Sequence, residues 1–264
     1  MKKMFVLSAA LLAAAAAYAQ PQVIAHRGFH ATDGSARNSL TALVKAQELG
    51  IFGSECDVNL SKDGEILVLH GGMHPDKSVH KGDIPRVDIQ KSACVEVQAI
   101  LLENGETVPT LDQYLAQAKK DPATKLIIEI KKHATPARET EIVQATVDKV
   151  ADYGLQEQVE YIAFRPFVCE ELRRIAPEST KIAYLNGDYD PDYVKGMGLT
   201  GIDYKIDVLR KHPKWIKRAH KLGLTVNVWT VNKEEDLRWV IEQGVDYITT
   251  DNPVLAKRLV EEAK

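Results

Sequence analysis

Ser-Glu-Cys-Asp-Val-Asn-Leu-Ser-Lys-Asp-Gly-Glu-Ile-Leu-Val-Leu-His, residues 54–70, decides the fold. Two short β-type runs flank Lys62-Asp63-Gly64-Glu65, and an Asp-Gly pair between such runs is a strong hairpin signal. Ser54–Val58 and Ile66–His70 are therefore read as antiparallel neighbours. Outward from this hairpin, further strand candidates are Val23–His26, Lys125–Ile130, Val159–Phe164, Lys181–Leu185, Gly201–Ile206, Leu224–Val231 and Asp246–Thr250. Setting aside the return strand of the hairpin leaves eight strands. Helical stretches join them, except for an interruption at about 71–108. Eight β/α units in a chain of 264 residues suit an α/β (β/α)₈ TIM barrel with a small insertion after the second-strand hairpin. An open doubly wound sheet is the alternative. Charged residues inside several strands favour the barrel, because an open sheet covered on both faces tolerates them poorly.

Helix ends are written into the sequence. Thr110 with Gln113 forms a capping box before Leu111, Tyr114, Leu115 and Ala118. Asn232 with Glu235 reads as a second cap, for a helix carrying Leu237, Val240 and Ile241 that Gly244 stops. Asn252 and Pro253 supply cap and first position of the last helix. Ile142, Val143, Thr146, Val147 and Val150 make one apolar face.

Composition narrows the function classes. The chain is 45% hydrophobic and 27% charged, with a formal net charge of −3. That balance argues against a sequence-blind nucleic-acid binder and against a disordered chain. There is no internal run long and apolar enough for a membrane span. Lys2 and Lys3, the apolar run Met4 to Ala16 and Ala17-Tyr18-Ala19 have the form of a secretory signal peptide, residues 1–19, implying an exported protein, periplasmic or secreted. Residues 20–264 then form one domain. Cys56, Cys94 and Cys169 lack metal-ligand spacing. They allow at most one disulfide, with Cys94 and Cys169 as the candidate pair, and read more simply as small buried residues.

The chemistry lies in charged residues on inward strand faces. Alternation puts Glu55 and Asp57 on one face of their strand, and Ile127, Glu129 and Lys131 on one face of theirs. Burying unpaired charge costs several kcal/mol per ion. An internal salt-bridge network would offset that cost; a divalent cation held by Glu55, Asp57 and Glu129 does so in a way that serves catalysis. Hard oxygen donors select Mg²⁺ or Ca²⁺ over Zn²⁺. With the turn centred on Asp63-Gly64, His70 falls opposite Asp57, and His26 ends the neighbouring first strand. Two imidazoles beside the carboxylates suit acid–base work. Arg27 and Lys131 aim cations at the same mouth, as a phosphate requires.

These segments together resemble the glycerophosphodiester phosphodiesterase family. The likeness rests on His26-Arg27-Gly28, Glu55-Cys56-Asp57-Val58, Lys62-Asp63-Gly64 with His70, Val108-Pro109-Thr110-Leu111-Asp112 and Ile128-Glu129-Ile130-Lys131. It continues in Val228-Trp229-Thr230-Val231-Asn232 and in Gly244 to Asp251. It runs from Val23 to about Leu255. The resemblance implies a TIM barrel with an insertion after the His70 hairpin, His26 and His70 as the acid–base pair, and one divalent cation on Glu55, Asp57 and Glu129. It also implies phosphate contacts from Arg27 and Lys131, with Trp229 walling the substrate pocket. Two positions depart from the family pattern: Gly71 replaces the usual Asp after the second histidine, and Arg37-Asn38-Ser39 replaces Glu-Asn-Thr. The expected activity is metal-dependent hydrolysis of a small-molecule glycerophosphodiester to an alcohol and glycerol phosphate. A lyase releasing a cyclic phosphate, or an inactive secreted binding protein on the same barrel, are the alternatives.

Overall fold

A computed structural model describes residues 20–71 and 88–263. The expected signal peptide, most of the first half of the insertion, His74 and His80 lie outside the described residues.

The strands are β1 (Gln22–Ala25), β2 (Gly53–Leu60), β3 (Ile66–Val68), β4 (Lys125–Ile130), β5 (Val159–Ala163), β6 (Ile182–Tyr184), β7 (Gly201–Lys205), β8 (Thr225–Trp229) and β9 (Tyr247–Thr250). Their order is β1-β9-β8-β7-β6-β5-β4-β2-β3, and β1 also pairs with β2. That last pairing closes eight parallel strands into a barrel, with β3 hung antiparallel on β2. Helices occupy the connections, as the (β/α)₈ reading requires.

Alternation divides each strand between two cores. Cys56, Val58, Leu126, Ile128, Ile202 and Tyr204 pack outward under the helices. Ile24, Ile127, Ile162, Leu185 and Tyr247 fill the barrel. A third cluster joins Leu67 and Leu69 of the hairpin to Ile89, Val97 and Ile100, so the described part of the insertion is packed against β3. All three cysteines are free, which excludes the Cys94–Cys169 pair; Cys56 and Cys169 are buried.

The hairpin register differs by one from the expected pairing. Val58 faces Val68 and Leu60 faces Ile66, so Leu69, whose N–H donates to the Asp57 carbonyl at 3.0 Å, takes the place expected for His70. The cause is the turn. Gly64 alone has positive φ (90°), and Ser61 and Glu65 close a three-residue loop in place of a two-residue one.

The cap of the helix Glu234–Glu242 also differs. Lys233 takes the cap position, and Asn232 instead holds the loop after β9. The capping box of Thr110 and the Asn252 cap form as read from the sequence.

His133, just past the end of β4, is buried. The Leu60 N–H donates to its Nε2 at 3.0 Å, so the proton sits on Nδ1, which donates to the Lys131 carbonyl at 2.8 Å. Burial pushes its pKa down to about 4. Below an ordinary histidine pKa of about 6.5 the unfolded chain binds a proton that the folded chain refuses. The stability from neutral His133 is thus complete above about pH 6.5 and lost as pH falls toward 4. Wild type should lose about 2–3 kcal/mol relative to His133→Gln between pH 7 and 4.5 in urea unfolding. An unchanged difference would show that His133 is not held neutral.

Candidate active site

The mouth is built at the C-terminal ends of the strands, where (β/α)₈ enzymes keep their chemistry. β1 ends at Ala25, and the chain turns through His26, Arg27 and Gly28. Arg27 has φ 55° and Gly28 φ 76°. A Cβ on Gly28 would fall 2.6 Å from the Ala42 Cβ, so only glycine lets this turn sit on the helix Leu40–Leu49. The turn points the Arg27 N–H at Glu55 Oε2, 2.7 Å away.

A pocket of about 80 Å³ opens there. His26, Arg27, Glu55, His70, Glu129 and Lys131 line its charged side. Ile162, Phe164, Leu185 and Trp229 line the opposite, apolar side, where Phe164 meets Trp229 edge to face at 5.5 Å. Asp57 lies behind the charged wall, 1% exposed. The site residues read from the sequence therefore all meet at one mouth, His70 included despite its shifted register.

Lys131 Nζ donates to Glu129 Oε1 at 2.5 Å and to Asp57 Oδ1 at 3.1 Å. Arg27 Nε lies 3.2 Å from Asp57 Oδ2 as an ion pair. Asn38, held at φ 59°, donates its amide to Asp57 Oδ2 at 2.9 Å and accepts the Asp57 N–H at 3.1 Å. The salt-bridge network weighed above is thus partly formed, but it does not close. Ligand oxygens of Glu55, Asp57 and Glu129 lie within 4.8 Å of one another, and Glu55 Oε1 is buried with no hydrogen-bond partner among the described residues. Three carboxylates face two cations, leaving one negative charge over. The unspent oxygen and the all-oxygen donor set fit a hard divalent cation.

Electrostatics report the same crowding. Burial, with the charges of Asp57 and Glu129, holds the Glu55 carboxyl well above the usual carboxylate range. Burial also lifts Glu129, with Lys131 opposing and Asp57 adding. Asp57 goes the other way: burial would raise it, but Lys131 and Arg27 overcome that and hold it low. Lys131 is raised, since its two carboxylate partners outweigh its own burial.

A second constellation stands beside the first. His26 Nδ1 lies 2.7 Å from Asp251 Oδ1, and His30 Nε2 lies 3.0 Å from the same oxygen. The Asn232 amide donates to Asp251 Oδ2 at 2.7 Å, while its oxygen accepts the Asp251 N–H at 2.8 Å. Burial would raise the Asp251 carboxyl, but its hydrogen bonds with His26 and His30 hold it far below the usual range. Sequence reasoning gave Asp251, Asn38 and His30 no role at the site. A signal existed for Asp251, which directly follows a barrel strand. Of the two departures from the family pattern, Arg37 turns away toward Glu103, 3.6 Å off, and Gly71 lies beside His70 at the end of the hairpin.

A closed (β/α)₈ barrel that gathers buried carboxylates, two cations and two imidazoles at its C-terminal mouth defines an enzyme class, hydrolases that act on anionic esters. Within that class the match is specific. The model of the glycerophosphoryl diester phosphodiesterase family matches residues 26–255, and the chain belongs to that family and is a phosphodiesterase. A glycerophosphodiester phosphodiesterase from Parabacteroides distasonis has 39% identity and a TM-score of 0.86, with 92% of this chain and 98% of that one covered. A glycerophosphodiester phosphodiesterase of Caldanaerobacter subterraneus is 27% identical over 245 residues, 90% of this chain and 97% of that protein. An Oleispira antarctica phosphodiesterase, solved with the product sn-glycerol-3-phosphate, shares the fold at 21% identity and TM-score 0.77, covering 92% of this chain and 97% of that one.

Proposed function

We propose that the chain hydrolyses glycerophosphodiesters to an alcohol and glycerol phosphate, with His26 and His70 exchanging the protons. The observation that carries this reading is the pocket that joins both histidines to Arg27, Lys131 and the acidic cluster. Arg27 and Lys131 meet the non-bridging phosphate oxygens, where negative charge grows in the transition state. His26 donates Nδ1–H to Asp251, which leaves Nε2 free to take the proton of the attacking oxygen. His70 gives a proton to the leaving alcohol. A divalent cation, Mg²⁺ or Ca²⁺, held by Glu55, Asp57 and Glu129 would supply Lewis-acid stabilisation of the same charge. It would also turn the leftover negative charge of the cluster into one positive charge, matched to a singly charged phosphodiester. The apolar wall with Trp229 takes the carbon skeleton. Export to the periplasm or the exterior belongs to the same proposal and rests on residues 1–19. No described helix is long and apolar enough to cross a membrane.

Purified protein incubated with glycerophosphocholine, glycerophosphoethanolamine and glycerophosphoinositol should release glycerol phosphate and free alcohol, followed by phosphorus NMR. A cyclic phosphate as the end product would make the enzyme a lyase. Tight binding with no product would make it a binding protein.

A further inference from the structure

Asp203 lines the same pocket but belongs neither to the acidic cluster nor to its ion pairs. It sits on β7, between β6 and β8, and its neighbours around the pocket are Leu185, Trp229 and Ile162. It is 1% exposed, and neither carboxyl oxygen has a hydrogen-bond partner among the described residues. The Asn227 amide donates to Thr249 Oγ1 at 2.9 Å; it also lies close enough to the Asp203 carboxyl to favour its charged form, without a hydrogen bond of ordinary geometry. Trp229 Nε1 donates at 2.8 Å to the Asp203 backbone carbonyl, not to its side chain. Asp203 also borders a second cavity of about 20 Å³ deeper in the barrel. It is therefore the floor of the upper pocket, one inward layer below Lys205 at the strand end.

Leaving a buried carboxyl without partners is costly, and a core leucine would be cheaper. The family's acid–base and cation chemistry uses none of it, since its oxygens are not among the group formed by Glu55, Asp57 and Glu129. The group shares the pocket with Ile162, Phe164, Leu185 and Trp229, the apolar wall to which the proposed function assigns the carbon skeleton.

We infer that Asp203 is a specificity-determining residue that hydrogen-bonds a hydroxyl of the glycerol unit, so that the pocket selects phosphodiesters whose carbon skeleton carries hydroxyls. The inference deepens the proposed function and rests on it. Phosphate is gripped by Arg27 and Lys131 on one side. The glycerol carbons lie on Phe164 and Trp229, and a hydroxyl reaches down to the floor. A skeleton without hydroxyls leaves the carboxyl dry and unpaired, and the site rejects it for that reason. Burial also raises the Asp203 carboxyl above the usual carboxylate range, with the Glu129 charge adding and the Asn227 amide opposing.

The test compares glycerophosphocholine with bis(4-nitrophenyl) phosphate, a diester without hydroxyls, on wild type, Asp203→Asn and Asp203→Leu. The preference of wild type for glycerophosphocholine should fall about 10- to 100-fold in Asp203→Leu, mostly through KM, and by less in Asp203→Asn, which still hydrogen-bonds. Melting temperatures of both variants should equal or exceed wild type, since the carboxyl makes no hydrogen bond of ordinary geometry among the described residues. A preference ratio unchanged within about twofold overturns the inference. A large loss of melting temperature in both variants also overturns it, because Asp203 would then be structural. Failure of wild type to cleave glycerophosphocholine while it cleaves the nitrophenyl diester overturns the proposed function itself, and this inference with it.

Discussion

Removing divalent cations with a chelator is expected to silence the enzyme, and Mg²⁺ or Ca²⁺ is expected to restore it. A Lewis acid at a phosphoryl oxygen contributes several kcal/mol, so the loss should be about 10³-fold or more in kcat/KM. The same loss, no longer reversible by metal, should follow Glu55→Gln. Glu55 is the informative position because it lends Oε2 to the Arg27 N–H while Oε1 has no partner among the described residues. The amide keeps the shape and removes the charge. Asp57→Asn tests something different. Asp57 pairs with both Lys131 and Arg27, so the amide strands Arg27, leaves Lys131 with Glu129 alone, and should also destabilise the fold, by about 3–5 kcal/mol for a broken buried pair. Denaturant unfolding separates the two cases. Full activity of Glu55→Gln, or of metal-stripped protein, would leave the acidic cluster as a salt-bridge network and nothing more.

Why the sequence revealed the acidic cluster but not its surroundings follows from physics. Glu55, Asp57 and Glu129 are visible because strand alternation has a fixed period of two, so a charge inside a strand must face one way or the other. Asp203 obeys the same rule on β7 and was legible on the same terms. No motif of the family resemblance surrounds it. His70 was placed one residue off because a two-residue turn and a three-residue loop ending in a left-handed glycine read alike as Asp-Gly. Asn232 reads as a helix cap because Asn commonly caps helices; only the fold shows its amide directed to Asp251, 19 residues away in sequence but adjacent at the barrel mouth. His133 was unreadable for a related reason. Its burial depends on a Leu60 N–H that the antiparallel hairpin leaves without a ladder partner on that side. Local signals survive in a sequence; contacts across the barrel do not.

His26→Ala and His70→Ala should each lower kcat by about 10²- to 10⁴-fold with folding intact, the usual range for groups that move a proton. The two histidines are distinguishable by what supports them. His26 is tied through Nδ1 to Asp251, which Asn232 grips from both its amide and its carbonyl oxygen. Asp251→Asn is therefore expected to act through His26: the amide can offer a donor where the carboxylate accepted one, which favours the wrong tautomer and withdraws the lone pair from the reacting side. Its loss should fall on kcat more than on KM, and should add little to that of His26→Ala in the double variant, because the carboxylate has nothing left to orient. His30 shares the Asp251 oxygen at 3.0 Å without lining the pocket, so His30→Phe should cost far less than His26→Ala. The leaving group separates the roles further. A diester with a good leaving group, such as a nitrophenolate, needs little help from an acid. His70→Ala should then be largely rescued on that substrate while His26→Ala is not. Rescue of His26→Ala instead would exchange the two assignments, and rescue of neither would mean that both imidazoles serve to bind phosphate.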